Sequence, residues 1–306
     1  MILSFDISMV FPTLAGLFYG SQYVPQKKLG EVDSRNYNLS MSIGIVAAAS
    51  IFFILFSIYT MSIISIIPIL LALISGIIWQ IGNRLSIEGI KRIGMGKTSA
   101  LLNLVSVFSF LFGILFYSEQ IDPFKIIGLP IIILGAVIVA LTRKAKSKVD
   151  WRGILSVIGA TVIISIFNII SVESMVSNYN PTIPFYATVF FLSIGAVVGG
   201  LIFNIRGKRL RNWINEGKRF HFFAVIAGLI WCCGILLTSF SLANFGLSFG
   251  VPIIQTVMII GSVSWGIIYF KEFRDKKNLI LFIIGVIISI FGITFFGLSS
   301  VLVINF

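Results

Sequence analysis

The segment Gly76-Ile-Ile-Trp79-Gln-Ile-Gly82 occurs a second time, 152 residues later, as Gly228-Leu-Ile-Trp231-Cys-Cys-Gly234 in a chain of 306 residues. At the same displacement, Asn103 corresponds to Gln255. A chain rich in Ile, Leu and Gly produces chance matches, but a Trp between two glycines, followed by one amide in the next apolar run, is a more specific pattern. Self-similarity at half the chain length predicts two homologous halves, which is common in membrane transporters.

The composition predicts an all-α membrane protein. Hydrophobic residues make up 58% of the chain, charged residues 11%, and the mean hydropathy is +1.05. A soluble domain carries about a quarter charged residues, so the excess apolar surface here must face lipid. The adjacent Cys232 and Cys233 do not suggest a disulfide framework, and the single histidine, His221, belongs to a basic segment. The sequence shows no metal-ligand cluster, so we expect neither a metal nor another cofactor.

Ten apolar runs have the length of about 17 to 25 residues that crosses a ~30 Å hydrocarbon core. The connectors between them are too short to fold as soluble domains. We therefore predict ten transmembrane helices, at roughly 7–25, 39–58, 62–85, 97–117, 125–141, 153–173, 183–203, 222–243, 248–269 and 278–297.

The basic residues predict how these helices are oriented. All of the 23 Lys and Arg residues except Lys125 fall at one end of the ten predicted helices. Because cytoplasmic loops collect Lys and Arg, we expect a multi-pass protein of the cell membrane with both termini outside. The net charge of +12 is then a topology signal that also favours anionic lipid in the bilayer, and we expect no nucleic-acid partner.

Five helices in each half is an odd number, so the second half would enter the membrane in the opposite orientation. The predicted organisation is a first five-helix repeat at 1–141, a basic cytoplasmic linker at 142–152 and a second five-helix repeat at 153–306. Two inverted five-helix repeats of this kind place a substrate site between the halves, which can open to either side by rocking.

The first predicted helix carries polar side chains beyond what packing requires. Tyr19 and Gln22 are candidate substrate-binding residues, and Pro25 permits a bend near the inner end. The pattern Tyr19-Gly20-Ser21-x-x-Val24-Pro25-x-Lys27-Lys28, preceded by Gly16, resembles the first-helix signature of the glucose/ribose-porter sugar transporters, which belong to the drug/metabolite transporter superfamily. The ten-helix layout is similar over the whole chain. The resemblance implies a secondary carrier that holds its substrate centrally, and it does not identify the sugar.

The repeated Trp segments supply further candidates. Trp79 and Gln80 in the third helix and Trp231 in the eighth could line a cavity, because aromatic faces suit the C–H face of a sugar and amides suit its hydroxyl groups. Core packing is an equally good interpretation of either Trp alone. Trp231 falls near the middle of its predicted helix, where an interfacial role does not apply.

Three more amides complete the candidate site. Asn103 and Gln255 occupy corresponding positions of the two halves, and Asn168 lies in the sixth predicted helix. The alternative for each is a hydrogen bond between helices, worth about 0.6 to 2 kcal/mol in membranes. The symmetric placement of Asn103 and Gln255 favours the substrate site.

No acidic residue falls at mid-depth of a predicted helix, where a carboxylate would cost about 2.5 to 3.5 kcal/mol. A neutral small molecule, a sugar or polyol, is therefore the expected substrate, and another metabolite such as an amino acid or nucleoside is the alternative. Glu173 or Glu88 could couple transport to a proton or cation. A membrane enzyme would need a nucleophile with its base, or metal ligands, so we predict that the protein is not an enzyme. The sequence leaves the oligomeric state undetermined.

Overall fold

The computed structural model describes residues 10–57, 66–117, 122–142, 149–176, 184–205, 209–273 and 275–303. These ranges are helical apart from short connecting segments, and none of them contains a strand. The elements are α1 Val10–Ser21, α2 Val24–Leu29, α3 Ser34–Ser57, α4 Ile66–Ile93, α5 Met95–Leu102, α6 Leu104–Tyr117, α7 Pro123–Leu141, α8 Trp151–Val176, α9 Phe185–Asn204, α10 Arg209–Ile214, α11 Lys218–Ser264, a π-helical turn Trp265–Tyr269, and α12 Lys276–Val303.

Eight helical segments within the described ranges are long and apolar enough to cross a membrane. A shorter apolar helix, Ile253–Tyr269, and the 12 described residues of α1 lie beside them. The all-helical, multi-pass membrane character predicted above is therefore confirmed, whereas the number of ten spans stays a prediction. The eight segments are Ser34–Ser57, Ile66–Ile93, Met95–Phe112, Pro123–Leu141, Trp151–Met175, Phe185–Asn204, Lys218–Ser241 and Lys276–Phe295.

Two helices predicted as continuous are interrupted in the structure. The first breaks after Ser21, and α2 begins at Val24 with Pro25 in its first turn. Proline has no N–H to continue the helical ladder, which explains the break. The fourth predicted helix divides at Asn103, whose carbonyl accepts a tighter i+3 bond from the N–H of Ser106 at 3.0 Å. Both interruptions fall beside candidate site residues.

The 47-residue helix α11 cannot be straight. Tyr19 packs on Gly234, while the next residue, Gly20, packs on Met258. In a straight helix, residues 234 and 258 would be about 36 Å apart, at 1.5 Å per residue. The helix must therefore bend back, so that its first arm (218–241) and its second arm (253–264) both lie against α1. The intervening residues include two glycines and Pro252, which permit such a bend.

Two pairs of helices cross with their backbones in direct contact, because a glycine stands at each contact. α4 crosses α9, and α3 crosses the first arm of α11. A side chain at any of these glycines would overlap a carbonyl group of the facing helix. Each contact in one pair has a counterpart in the other, displaced by about half the chain. The glycine–carbonyl pairs are Gly76–Leu192, Gly195–Leu73, Gly228–Met41 and Gly44–Val225.

The interior divides into two apolar clusters. One lies among α3, α4, α9 and the first arm of α11 and contains Trp79 and Trp231. The other lies among α5, α7, α8 and α12 and includes the fully buried Phe282. Large exposed apolar side chains such as Ile54 and Leu155 cover the outer surfaces, as expected of helices that face lipid.

Candidate functional site

The two repeated tryptophans meet in the interior. The ring centroids of Trp79 and Trp231 are 4.7 Å apart with planes inclined by 50°, and only 3% and 4% of these residues are exposed. Tyr19 continues the row at 6.4 Å from Trp231, and its hydroxyl accepts a hydrogen bond from Thr238 at 3.3 Å. Three sequence-predicted residues from α1, α4 and α11 are thus brought into one aromatic row.

Asn103 is fully buried at the junction of α5 and α6, and neither the nitrogen nor the oxygen of its amide has a hydrogen-bond partner among the described residues. The hydroxyls of Ser99 and Ser106, one turn before and one turn after it, are also buried without a partner there. These three residues follow helical spacing and so form one polar stripe. Leaving a buried polar group unsatisfied costs about 1 to 3 kcal/mol, so the stripe suits a hydroxyl-bearing ligand.

Gln22 and Gln255 each have an amide oxygen without a hydrogen-bond partner among the described residues. Gln22 is buried at the break between α1 and α2, and Gln255 is partly exposed on the second arm of α11. These two elements pack together, since Gly20 contacts Met258 and Ser262 donates a hydrogen bond to the carbonyl of Gly20 at 3.1 Å. The predicted amides thus lie on neighbouring elements.

Gln80 differs from the other predicted amides because its hydrogen bonds are already satisfied. Its Nε2 donates to the hydroxyl of Ser42 at 3.0 Å and to the carbonyl of Ala196 at 2.7 Å. Asn38 donates to both the backbone and the side-chain oxygen of Gln80. Gln80 therefore joins α3, α4 and α9 at their crossing. Asn168, on α8, is partly exposed beside the buried Phe167.

The polar network that surrounds Gln80 was not predicted from the sequence. Asn83 donates to the side-chain oxygen of Asn38 at 2.6 Å and accepts from the hydroxyl of Tyr23 at 3.4 Å. The apolar run of the second predicted helix begins at residue 39, so Asn38 falls outside it, whereas α3 begins at Ser34. The alternation of amides and hydroxyls along residues 36–42 was the available signal.

The burial of Glu272 was not predicted either, because this residue lies in the connector between the ninth and tenth predicted helices. The residue is only 7% exposed, and its carboxylate accepts the backbone N–H groups of Met95 at 2.7 Å and Gly96 at 3.0 Å. Lys27 forms an ion pair with it at 3.0 Å. Within the parts of the chain that the structure describes, no group of three His, Cys, Asp or Glu side chains could hold a metal ion.

A bundle of apolar helices with aromatic rings and amides buried inside is typical of a multi-pass membrane protein. The chain belongs to the sugar transport protein family, whose model matches residues 10–299. This is a family of transporters and not of enzymes, as the sequence predicted.

Individual relatives match three quarters of the chain or more. The glucose uptake protein GlcU of Bacillus subtilis (strain 168) is 25% identical over 306 residues, with 96% of this chain and 99% of that protein covered. A putative sugar uptake protein of Listeria monocytogenes is 26% identical over 244 residues, covering 76% of this chain and 80% of its own length. One solved crystal structure shares the fold, with a TM-score of 0.56 at 13% identity and 96% of this chain covered, against 97% of that chain.

Proposed function

We propose that the protein carries a neutral sugar or polyol across the cell membrane by alternating access. The observation that carries this proposal is the fully buried amide of Asn103, which has no hydrogen-bond partner among the described residues and lies between two equally unpartnered serines. A sugar hydroxyl both donates and accepts, so it matches an amide that offers both functions. A neutral ligand also needs no countercharge in the membrane interior.

The aromatic row supports the same substrate class. Trp79 and Trp231 come from the two halves of the chain, and Tyr19 lies beside them. Indole and phenol faces bind the apolar C–H face of a pyranose or polyol while amides bind its hydroxyl groups. We propose that Gln22, Asn103 and Gln255 contribute the amides, with Asn168 as a further candidate on α8.

We propose that Gln80 positions a neighbouring residue and does not bind the substrate itself. Its donors and acceptors are occupied by Ser42, Asn38 and Ala196, so it holds α4 against α3 and α9 and positions the neighbouring Trp79. Its effect on transport would then be exerted through the orientation of that indole.

The paired glycine crossings support two inverted repeats. Leu73 contacts Gly195 and Ile77 contacts Gly199, so the contacts advance in the same direction along both helices and α4 runs parallel to α9. Ser40 contacts His221 and Gly44 contacts Val225, so α3 runs parallel to the first arm of α11 in the same way. Exchanging the halves converts one pair into the other. With the bend in α11, this arrangement favours ten spans, both termini outside and a site that opens to either side by rocking of the halves.

Uptake into proteoliposomes tests the proposal, with radiolabelled hexoses, pentoses and polyols, and with an amino acid and a nucleoside as alternative substrates. We expect saturable uptake of at least one sugar or polyol. Protein that is folded but takes up only the amino acid or the nucleoside would overturn the substrate class.

The variant Asn103→Leu separates binding from folding. It should abolish sugar uptake without lowering the thermal stability, because it removes a buried polar group that has no hydrogen-bond partner among the residues the structure describes. The matched control is Asn83→Leu, which breaks occupied hydrogen bonds and should lower the stability. Unchanged uptake by Asn103→Leu would remove Asn103 from the site.

A further inference from the structure

The carboxylate of Glu272 joins the two halves of the chain at the basic end of the bundle, the end where Lys27 and the start of α5 lie. Lys27 and the N–H groups of Met95 and Gly96 come from the first half, and Glu272 comes from the second. The Glu272 side chain is 3% exposed and that of Lys27 is 21% exposed. The carboxylate thus receives two hydrogen bonds from a helix N-terminus and an ion pair from a lysine, which are strong charge-assisted contacts.

Three glycines make room for this carboxylate. A methyl group at Gly94 would lie 2.8 Å from its Oε2, one at Gly266 would lie 3.0 Å away, and one at Gly96 would lie 3.4 Å away. Gly94 also has a φ of +92°, which disfavours other residues. The backbones of both halves therefore close around a single acidic side chain.

The sequence does not repeat the two charges of this ion pair at the corresponding positions of the two halves. With the displacement of 152 residues that relates the halves, Lys27 corresponds to Tyr179 and Glu272 corresponds to Gln120. Neither counterpart is charged. If the two halves exchange conformations during transport, the ion pair therefore stabilises only one of the two states.

We propose that Lys27, Glu272 and the N–H groups of Met95 and Gly96 form a latch that keeps the basic end closed and sets the resting state of the carrier. The inference rests on the proposed alternating access. Opening the basic end separates Glu272 from the N-terminus of α5 and from Lys27. Because the carboxylate then loses these contacts and must be solvated by water, opening this end is unfavourable. The empty carrier accordingly rests with its site open towards the opposite end, ready to load from that side.

The experiment measures how fast a maleimide labels a cysteine placed behind the latch. Ser99→Cys supplies the reporter, since Ser99 is 1% exposed and lies one turn into α5, in a background with Cys232→Ala and Cys233→Ala. In inside-out membrane vesicles without substrate, where an added membrane-impermeant maleimide reaches only the basic end, Glu272→Gln and Lys27→Met should each raise the labelling rate at least about fivefold, because the state open at that end becomes more populated.

Two controls separate the latch from a general loosening of the fold. Glu88→Gln removes an acid at the same end that forms an exposed i,i+4 pair with Arg92, and it should leave the labelling rate unchanged. A second reporter, Ala187→Cys, is 1% exposed near the start of α9 and should stay slowly labelled in both latch variants. An unchanged rate at Ser99→Cys, or equal acceleration at both reporters, would overturn the latch. The labelling needs no substrate, so a wild-type protein without sugar uptake would overturn the proposed function separately.

Discussion

Replacing Gly76 with alanine should separate the helices that bring the two tryptophans together. The added methyl group would overlap the carbonyl oxygen of Leu192 and lie 2.7 Å from the nitrogen of Ala196. An ordinary contact needs about 3.4 Å or more, so α4 and α9 must move apart by at least about 0.7 Å. Overpacking of this kind costs about 1 to 3 kcal/mol, whereas alanine in place of glycine contributes only about 0.4 to 1 kcal/mol in the other direction.

The contact of Gly228 with Met41 corresponds to that of Gly76 with Leu192, so a second variant tests the same reasoning. A methyl group at Gly228 would overlap the carbonyl oxygen of Met41 and lie 2.9 Å from the nitrogen of Ile45. We therefore expect Gly76→Ala and Gly228→Ala to lower the thermal midpoint in detergent by similar amounts, roughly 5 °C or more. Sugar uptake should fall in both variants, because each substitution displaces one tryptophan of the aromatic row.

The matched control is Gly159→Ala on α8. A methyl group there meets only the Cδ1 of Leu85, at an ordinary 3.5 Å. Its thermal midpoint should stay the same or rise slightly, because alanine favours the helix. The reasoning is refuted if Gly76→Ala and Gly228→Ala are as stable as Gly159→Ala, since the backbones would then not meet at these glycines.

Three further outcomes are expected. Trp231→Leu should raise the half-saturation concentration for sugar about tenfold, measured by uptake kinetics beside a Trp79→Leu variant with the same effect, and both variants should also lower the thermal midpoint because the smaller side chain leaves a cavity in a buried cluster. Gln80→Leu should lower the thermal midpoint as well as uptake, because it leaves several buried polar groups unpaired; a stable Gln80→Leu protein would contradict its positioning role. The pKa of Asp275 lies below its ordinary value because the side chain of Asn278 donates to it, so its stabilisation of the start of α12 should persist at neutral pH and disappear as the pH falls through that lowered pKa. The protection factor of the Asn278 amide, which is its exchange rate relative to an unstructured amide at the same pH, checks this, and a protection factor that stays constant into acid would count against it.

The interruptions between α1 and α2 and between α5 and α6 explain why polar groups of the candidate site are available to a ligand. Gln22 follows the last residue of α1, and Asn103 separates α5 from α6. A broken helix exposes backbone and side-chain groups at membrane depth, which is tolerated where they line a cavity or are buried in protein. The proposed site therefore coincides with the points where the helical ladder stops.

The sequence alone determined the helical, membrane-embedded character, the repeated Trp segments and the one-sided distribution of basic residues, because these depend on local hydrophobicity, spacing and charge. It also predicted Asn103, Trp79 and Trp231 as site residues, which stays a prediction. Only the tertiary structure decided that the hydrogen bonds of Gln80 are occupied while the amide of Asn103 stays unpartnered among the described residues, and that Glu272 is buried against α5. The physical reason is that a polar side chain acquires its role from the groups that distant helices bring to it. A single sequence does not reveal which helices meet.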